Sequence, residues 1–134
     1  MSDSPFSIEL KVRDYECDMQ GIVNNAIYQH YLEHARHEFL ASRGLSFAEL
    51  TKQGVIIVVA RAEIDYRAPL HAGEECRISV AASRPSPVRL VFSQKILRAA
   101  DGKLMVSAEI ITTAVNERRK PYFPKALQQL LDEE

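Results

Sequence analysis

Apolar and polar residues alternate along several stretches of the chain, which is the pattern of half-buried β-strands. The first stretch, residues 8–13, reads IELKVR, so its apolar side chains fall on one face and its charged side chains on the other. A longer stretch at residues 55–70 opens with the β-branched run VIIVVA, then alternates, and stops near Pro69. The pattern predicts strands at residues 8–13, 55–70, 75–83, 88–98 and 103–115.

The period of apolar residues changes to that of a helix between the first two predicted strands. From residue 25 to about residue 43, apolar side chains recur three or four positions apart, and Gly44 is placed to end the helix. The members of this stripe are Tyr28, Leu32, Ala35 and Phe39. A short second helix is predicted after Ser46, because Glu49 stands at the capping-box spacing, and Gly54 is placed to end it.

The predicted order is strand, long helix, short helix and then four strands, which we expect to form a meander in an α+β domain. Asp101 and Gly102, between the last two strands, form the dipeptide that best fits a tight hairpin turn. The final stretch, FPKALQQLLDEE, predicts a short helix with Pro124 near its first turn. One helix cannot cover both faces of such a sheet, and at least one edge strand stays open. We therefore expect a homodimer or a larger oligomer.

Composition and charge narrow the class of protein. The chain has 134 residues, of which 46% are apolar and 26% charged, and this suits a single folded domain over residues 1–134. Its formal net charge of −1 gives no reason to expect binding to nucleic acid or to an anionic membrane surface. Any anionic ligand must then be bound by local basic residues.

Cysteine spacing and the N-terminus indicate a cytoplasmic protein. Cys17 and Cys76 lie far apart without CxxC or Cys/His ligand spacing, which argues against a disulfide framework or a structural zinc site. The N-terminal stretch MSDSPFSIEL lacks the basic and apolar regions of a signal peptide, and no run approaches membrane-spanning length.

One stretch between the first strand and the long helix carries candidate chemistry. It reads CDMQGIVNNAIY at residues 17–28, and it places Asp18, a glycine and two helix-capping asparagines ahead of an apolar helix. A helix N-terminus offers backbone N–H groups that have no intrahelical acceptor, and such donors stabilise an oxygen that gains negative charge during acyl transfer. An aspartate in a loop before a helix is usually a turn-forming or capping residue. Asp18 is also suited to act as a nucleophile or as a general base on water, and the residues alone do not distinguish these roles.

The chain resembles the hotdog-fold acyl-thioester hydrolases of the 4-hydroxybenzoyl-CoA thioesterase-like group. The resemblance rests on VRDYECDMQGIVNNAIYQHYLEHARHEFL at residues 12–40 and AEIDYRAPLHAGEE at residues 62–75, and its most specific part is a D-x-x-G-[IV]-V-x-x-x-x-Y pattern that starts at Asp18. Within this group, the motifs are most similar to those of the branch that contains bacterial acyl-CoA thioesterases, cyanobacterial 1,4-dihydroxy-2-naphthoyl-CoA thioesterases and plant acyl-carrier-protein thioesterases. It implies a five-stranded antiparallel sheet wrapped around a long central helix, in dimers or tetramers with active sites at the dimer interface.

The resemblance also implies roles for individual residues. Asp18 takes the catalytic position, and the backbone N–H of Asn25 takes the position that polarises the thioester carbonyl. The remaining residues that it assigns to the substrate-binding stretch are Gly21, Val23, Asn24 and Tyr28. Asn24 and Asn25 also meet the ordinary requirement for an N-cap, and Tyr28 also belongs to the apolar stripe.

Histidines and a cysteine offer competing sites. His30, His34 and His37 fall on one face of the predicted helix, opposite the apolar stripe, and a metal face is one interpretation. No H-E-x-x-H motif or partner cysteine accompanies them, so we prefer a polar or interfacial face with a pair such as Glu33 and His37. Cys17 is interpreted as a packed small side chain. We expect neither a metal nor another cofactor.

The sequence thus predicts a thioesterase that hydrolyses an acyl-CoA or acyl-carrier-protein thioester to a free carboxylic acid and a thiol. Its phosphates need cations, for which Arg84, Arg89 and the basic run at residues 118–120 are candidates, although surface charge is often merely solvated. One alternative is an aromatic substrate such as 1,4-dihydroxy-2-naphthoyl-CoA. Another is a non-catalytic acyl-binding domain, since a fold alone does not determine function.

Overall fold

A computed structural model describes residues 6–131 of the chain. Residues 1–5 and 132–134, which include the start of the N-terminal stretch and the end of the predicted C-terminal helix, lie outside the described residues. The elements are β1 (Phe6–Lys11), α1 (Asn25–Ser42), α2 (Phe47–Lys52), β2 (Ile56–Tyr66), β3 (Glu75–Ser83), β4 (Arg89–Arg98), β5 (Leu104–Val115), β6 (Pro121–Tyr122) and the 3₁₀ helices Asp14–Glu16 and Lys125–Leu130. The five predicted strands and both α-helices are confirmed, and the predicted C-terminal helix is a 3₁₀ helix. No helix within residues 6–131 is long and apolar enough to cross a membrane.

The strands form one antiparallel sheet in the order β1-β3-β4-β5-β2, with the short β6 beside the end of β5. β3, β4 and β5 form a meander, but the prediction that β2 belongs to it is wrong. β1 occupies one side of β3, with Phe6 opposite Val80, and β4 occupies the other side. Because neither side of β3 is open, β2 pairs with β5 instead. Residues 67–74 then cross from β2 to β3.

The apolar stripe of α1 packs against the sheet, as predicted. The stripe residues that are buried are Tyr28, Leu32, Ala35 and Phe39. The Phe39 ring lies edge-on to Phe6 of β1 and Phe92 of β4, with 5.5 Å and 6.3 Å between ring centroids. Burying one such side chain contributes about 1.5–3 kcal/mol. The stripe therefore determines how α1 lies on the sheet, and hence where its N-terminus is.

Both α-helices begin with the caps that their sequences predict. The Asn24 side chain accepts the N–H of Ala26 at 2.9 Å, and the Ser46 hydroxyl accepts the N–H of Glu49 at 3.0 Å. Gly44 follows α1 with a φ of +78°, which residues with a Cβ rarely adopt. Local side-chain chemistry is thus sufficient to mark the helix boundaries.

The turn between β4 and β5 is wider than predicted. Arg98 donates its N–H to the carbonyl of Lys103 at 2.9 Å, so the loop encloses residues 99–102 and not two residues alone. The Asp101 carboxylate accepts hydrogen bonds from Arg98 Nε at 3.0 Å and from the Lys103 N–H at 3.1 Å. These side-chain bonds hold the wider loop. The Arg98 hydrogen bond and the Lys103 N–H lower the pKa of Asp101 to about 2.

Candidate active site

Residues 17–23 form a tight hairpin between β1 and α1, and Asp18 lies in its turn. The Asp18 N–H donates to the carbonyl of Ile22 at 2.9 Å, and the Gly21 N–H donates to the carbonyl of Asp18 at 3.0 Å. Gly21 has a φ of +81°, which a residue with a Cβ adopts only with strain. The glycine therefore lets the chain reverse directly after Asp18.

The Asp18 carboxylate is exposed at the tip of this hairpin. Its Oδ1 accepts the N–H of Gln20 at 2.9 Å, which restrains the side chain within its own turn. Among the described residues, 6–131, no donor is hydrogen-bonded to Oδ2. The carboxylate is thus held by one oxygen and open at the other.

The N-terminus of α1 follows the hairpin directly. Asn24 accepts the N–H of Ala26 with its side chain and the N–H of Ile27 with its carbonyl. The N–H of Asn25, the first residue of α1, has no acceptor within the described part of the chain. This donor stands at the positive end of the helix dipole. It is therefore available to polarise a carbonyl oxygen.

The crossing segment 67–74 packs against both the hairpin and α1. Val23 donates its N–H to the carbonyl of Leu70 at 2.9 Å, and the hydroxyl of Tyr28 accepts the N–H of Leu70 at 2.8 Å. Val23 and Tyr28 are 3% and 2% exposed, so both lie in the core. Burial raises the pKa of Tyr28. These two predicted substrate-binding residues hold the backbone around the site.

Glu16 is a buried carboxylate that no pattern in the sequence predicted. It is 7% exposed and accepts three hydrogen bonds, from the Arg13 N–H at 2.9 Å, Arg13 Nη2 at 2.6 Å and the Tyr31 hydroxyl at 2.6 Å. Burial alone would raise the pKa of Glu16, but the hydrogen bonds from Arg13 and Tyr31 outweigh burial and lower it. Its carbonyl also accepts the N–H of Asn24 at 3.3 Å. Glu16 therefore ties the base of the Asp18 hairpin to α1.

Only one signal in the sequence pointed to this interaction. Tyr31 follows Tyr28 by almost one helical turn, so it lies beside the apolar stripe and needs a partner for its hydroxyl when buried. The identity of that partner depends on the 3₁₀ turn Asp14–Glu16, which no periodic pattern predicts.

A cavity of about 300 Å³ opens next to the N-terminus of α1. It begins at Ala26, the residue after Asn25, and lies between α1 and the strands β2 and β5. Its α1 wall is mainly polar, and its strand wall is mainly apolar, with Val59, Ile64 and Ile110 among its members. Of the apolar run VIIVVA at residues 55–60, Val59 lies at this wall. A ligand bound at Asn25 has room to extend along the helix.

Arg84 and Arg89 lie at the other end of the sheet. The Asp18 hairpin packs beside the residues that precede β3, whereas Arg84 follows β3, whose nine residues span roughly 30 Å at the rise of a strand. Arg84 donates to the carbonyl of Pro87 at 2.9 Å, and its guanidinium lies 3.8 Å from the centroid of the Phe123 ring. Within one chain, these arginines are not brought together with Asp18.

The helical histidines do not form a metal site in the part of the chain that the structure describes. No group of three His, Cys, Asp or Glu side chains converges there. His30 lines the cavity, whereas the His37 ring lies 4.4 Å from that of Phe47 and its Nε2 lies 3.8 Å from Glu33, the pairing predicted from sequence. Cys17 is half-buried and burial raises its pKa, so its thiol is poorly suited to act as a nucleophile.

Comparisons with known proteins agree on the family. The model of the Thioesterase-like superfamily matches residues 12–131. The acyl-acyl carrier protein thioesterase ATL3 of Arabidopsis thaliana is 32% identical over 114 residues, which are 85% of this chain and 60% of ATL3. The acyl-CoA thioesterase YbgC of Haemophilus influenzae is 29% identical over 134 residues, covering 96% of this chain and 95% of YbgC. This chain thus spans about 60% of the length of the plant relative.

A solved structure supports the same conclusion for the fold. Slr0204, a 1,4-dihydroxy-2-naphthoyl-CoA thioesterase from Synechocystis, has a TM-score of 0.89 to this chain over 96% of both chains, at 22% sequence identity. One antiparallel sheet of five main strands, with the short β6 beside β5, packs against one long helix, in agreement with the architecture expected from the sequence. The chain therefore belongs to the thioesterase-like superfamily and has the hotdog fold.

Proposed function

We propose that this chain hydrolyses an acyl thioester of coenzyme A or of an acyl carrier protein to a free carboxylic acid and a thiol. One observation carries the proposal: a single short hairpin connects the exposed carboxylate of Asp18 to the free N–H of Asn25. The relatives that are named acyl-acyl carrier protein and acyl-CoA thioesterases support the same reaction.

In this reaction the Asn25 N–H binds the carbonyl oxygen of the thioester and stabilises its charge in the transition state. Asp18 has two routes. As a nucleophile it attacks the carbonyl carbon, the C–S bond breaks, the thiolate leaves, and water hydrolyses the mixed anhydride. As a general base it takes a proton from water, whose oxygen attacks the same carbon, and the proton passes to the departing sulfur. Label in Asp18 after turnover in ¹⁸O-labelled water, detected by mass spectrometry, would identify the first route, because water that attacks the Asp18 carbon of the anhydride leaves its oxygen in that carboxylate.

The other predicted site residues support this pair. Gly21 forms the turn, Asn24 caps the helix, and Val23 and Tyr28 hold the crossing segment in place. These roles are indirect, because their side chains act on backbone conformation. Asn25 contributes its backbone N–H, so its side chain is expected to be replaceable.

We also propose that the chain forms a homodimer through β2. This strand has eleven residues and, within residues 6–131, pairs along one side only, with β5. Its large apolar side chains that are at least 40% exposed are Ile56, Val58, Val59 and Tyr66. An open apolar edge of this kind favours pairing with a second strand. Arg84 and Arg89 are proposed to bind substrate phosphates, and their position would let them serve an Asp18 site only from a second protomer.

The test of the reaction is the Asp18→Asn variant, which keeps an Oδ1 acceptor for the Gln20 N–H but cannot act as a nucleophile or base. We expect a loss of kcat/KM of about 100-fold or more on a panel of aliphatic and aromatic acyl-CoA and acyl-carrier-protein thioesters. Asp14→Asn, which removes a second exposed carboxylate from the same connection, is the matched control and should retain activity. Undiminished hydrolysis by Asp18→Asn would refute the assignment of the site. Binding of acyl-CoA without turnover by the parent chain would instead indicate a non-catalytic acyl-binding domain.

The cytoplasmic location and the single-domain organisation expected from the sequence stay predictions. Fractionation of expressing cells checks the first, and coincident unfolding transitions followed by two spectroscopic probes check the second.

A further inference from the structure

The α1 wall of the cavity holds a cation whose hydrogen-bonding capacity is largely unused. Arg36 is half-buried, and its Nη1 donates to Oε1 of Gln94 at 3.1 Å. Gln94 is 1% exposed and donates its Nε2 to the carbonyl of Leu32 at 3.0 Å. The guanidinium is therefore held in a defined place by a buried amide, which is itself anchored to the backbone of α1.

Arg36 lines the cavity, and its remaining donors have no partner among the described residues. A guanidinium has five N–H donors, and within residues 6–131 only the bond to Gln94 uses one of them. No carboxylate in this range lies within ion-pair distance of Arg36. Glu33, on the same wall, attracts the guanidinium electrostatically from a greater distance. Burial lowers the pKa of Arg36. Removal of the remaining water by an apolar ligand would be unfavourable for a charge in this position.

Arg36 and the proposed oxyanion donor lie on the same side of α1. Arg36 follows Asn25 by about three helical turns, roughly 16 Å along the helix axis, and the residues between them that line the cavity are Ala26, Gln29, His30, Leu32 and Glu33. Side chains of an α-helix tilt toward its N-terminus, so the guanidinium approaches Asn25 more closely than its Cα does. An acyl group with its carbonyl at Asn25 would therefore direct its far end at Arg36.

We propose that the cavity is the acyl pocket and that Arg36 selects acyl groups with an oxygen acceptor at the end remote from the thioester. The acceptor is a hydroxyl, keto or carboxylate oxygen. This inference rests on the proposed thioesterase function and adds the substrate class. The apolar wall formed by Val59, Ile64 and Ile110 contacts the middle of the acyl group, while the guanidinium binds its oxygen. A plain alkyl end would desolvate the guanidinium without replacing its hydrogen bonds.

The experiment compares pairs of substrates that differ only at the far end of the acyl group. Octanoyl-CoA is matched with 8-hydroxyoctanoyl-CoA and suberoyl-CoA, and benzoyl-CoA with 4-hydroxybenzoyl-CoA. For the parent chain we expect kcat/KM to be at least about 10-fold higher for the oxygenated member of the pair that fits the pocket. Arg36→Met, which keeps the length of the side chain but none of its donors, should bring that ratio to about one.

Two further variants make the result interpretable. Arg36→Lys keeps a cation but has fewer donors, so it should lower the preference for the oxygenated substrate only in part. It is used in place of Arg36→Met if that variant does not fold. His34→Ala changes an exposed α1 residue away from the cavity and should keep the ratio of the parent.

Equal rates on both members of every pair, or an unchanged ratio in Arg36→Met, would overturn the selection by Arg36. Loss of the oligomer in Arg36→Met with the substrate ratio unchanged would also overturn it, by assigning the arginine to a subunit interface. The parent chain hydrolysing none of these thioesters would count against the proposed function itself.

Discussion

The hydroxyl of Tyr31 donates a 2.6 Å hydrogen bond to the carboxylate of Glu16. The donor lies on α1 and the acceptor lies two residues before Asp18, so this bond spans the two parts of the proposed active site. Glu16 holds both parts, since its carboxylate binds Tyr31 and its carbonyl accepts the N–H of Asn24. The stability of this connection can be measured separately from the chemistry.

Tyr31→Phe is expected to lower the free energy of unfolding by about 1–3 kcal/mol, because a buried carboxylate loses a hydrogen-bond donor. Urea-induced unfolding followed by circular dichroism measures the change. Tyr15→Phe is the matched control, since Tyr15 is 77% exposed and its replacement should cost less than about 0.5 kcal/mol. Equal stability of Tyr31→Phe and the parent would mean that this hydrogen bond contributes nothing in solution.

The hydrogen bonds to Glu16 also predict a loss of stability in acid. They hold its folded-state pKa below the usual value of 4.5, so Glu16 contributes stability that is present above that value and is lost as the pH falls through the folded-state pKa. The Glu16→Gln variant lacks this titration. We expect the parent to exceed Glu16→Gln in stability at pH 7, and the difference to shrink as the pH is lowered below 4.5. Urea unfolding of both proteins as a function of pH checks this, and a constant difference would contradict it.

Asn25→Pro removes the proposed oxyanion donor and little else. Proline is tolerated at the first position of a helix, and Asn24 already has the φ of −70° and ψ of 145° that a residue before proline adopts. We expect kcat/KM to fall about 100- to 1,000-fold with helix content retained. Asn25→Ala keeps the N–H and should stay within a few-fold of the parent. Similar rates for Asn25→Pro and Asn25→Ala would show that this amide does not bind the carbonyl.

Gly21 and Gly44 provide a matched pair of backbone substitutions. Both have a φ near +80°, and a Cβ at either would meet no atom within 4 Å, so the cost of alanine is conformational. Each alanine variant should lose about 1 kcal/mol of stability. Only Gly21→Ala should also lower thioesterase activity, because only this glycine lies in the Asp18 turn. Steady-state kinetics at a temperature where both variants are folded measures this difference. Equal activities of Gly21→Ala and Gly44→Ala would show that the Asp18 turn does not affect catalysis.

A lysine on the open edge of the sheet should dissociate the proposed dimer. Val58 of β2 is 40% exposed and does not line the cavity, so Val58→Lys adds charge to the edge while leaving the site residues unchanged. Sedimentation equilibrium should show a dimer for the parent and a monomer for the variant. His34→Lys adds the same charge to α1 as a control. A parent chain that sediments as a monomer would refute the proposal directly.

The elements of this fold could be predicted because their signals are local. The apolar stripe of α1 and the alternation in β3 follow from the period of each backbone, and Asn24 and Ser46 act as caps through bonds to residues two or three positions away. Asp18 and Asn25 were proposed together because the D-x-x-G-[IV]-V-x-x-x-x-Y pattern resembles that of the thioester hydrolases. They belong to one short connection whose conformation depends on its own turn.

Other features depend on residues that are distant in the chain. The place of β2 beside β5 follows from the occupation of both sides of β3, and the wider β4–β5 loop follows from side-chain bonds of Asp101. Arg84 and Arg89, which the sequence predicted as phosphate-binding residues, lie away from Asp18 because β3 runs between them. No pattern of neighbouring residues contains these distances.

The sequence by itself determined the strands and the helices, because periodicity and turn chemistry act over a few residues. The pair of groups proposed to carry out the reaction came from its resemblance to the thioester hydrolases. Only the tertiary structure decided that Glu16 is buried against Tyr31 and that Arg36 lines a cavity and has unused donors. A sequence shows that a side chain is charged, but it does not show whether that side chain is buried. Its surroundings, and so its desolvation and its hydrogen-bond partners, exist only when remote segments have packed around it.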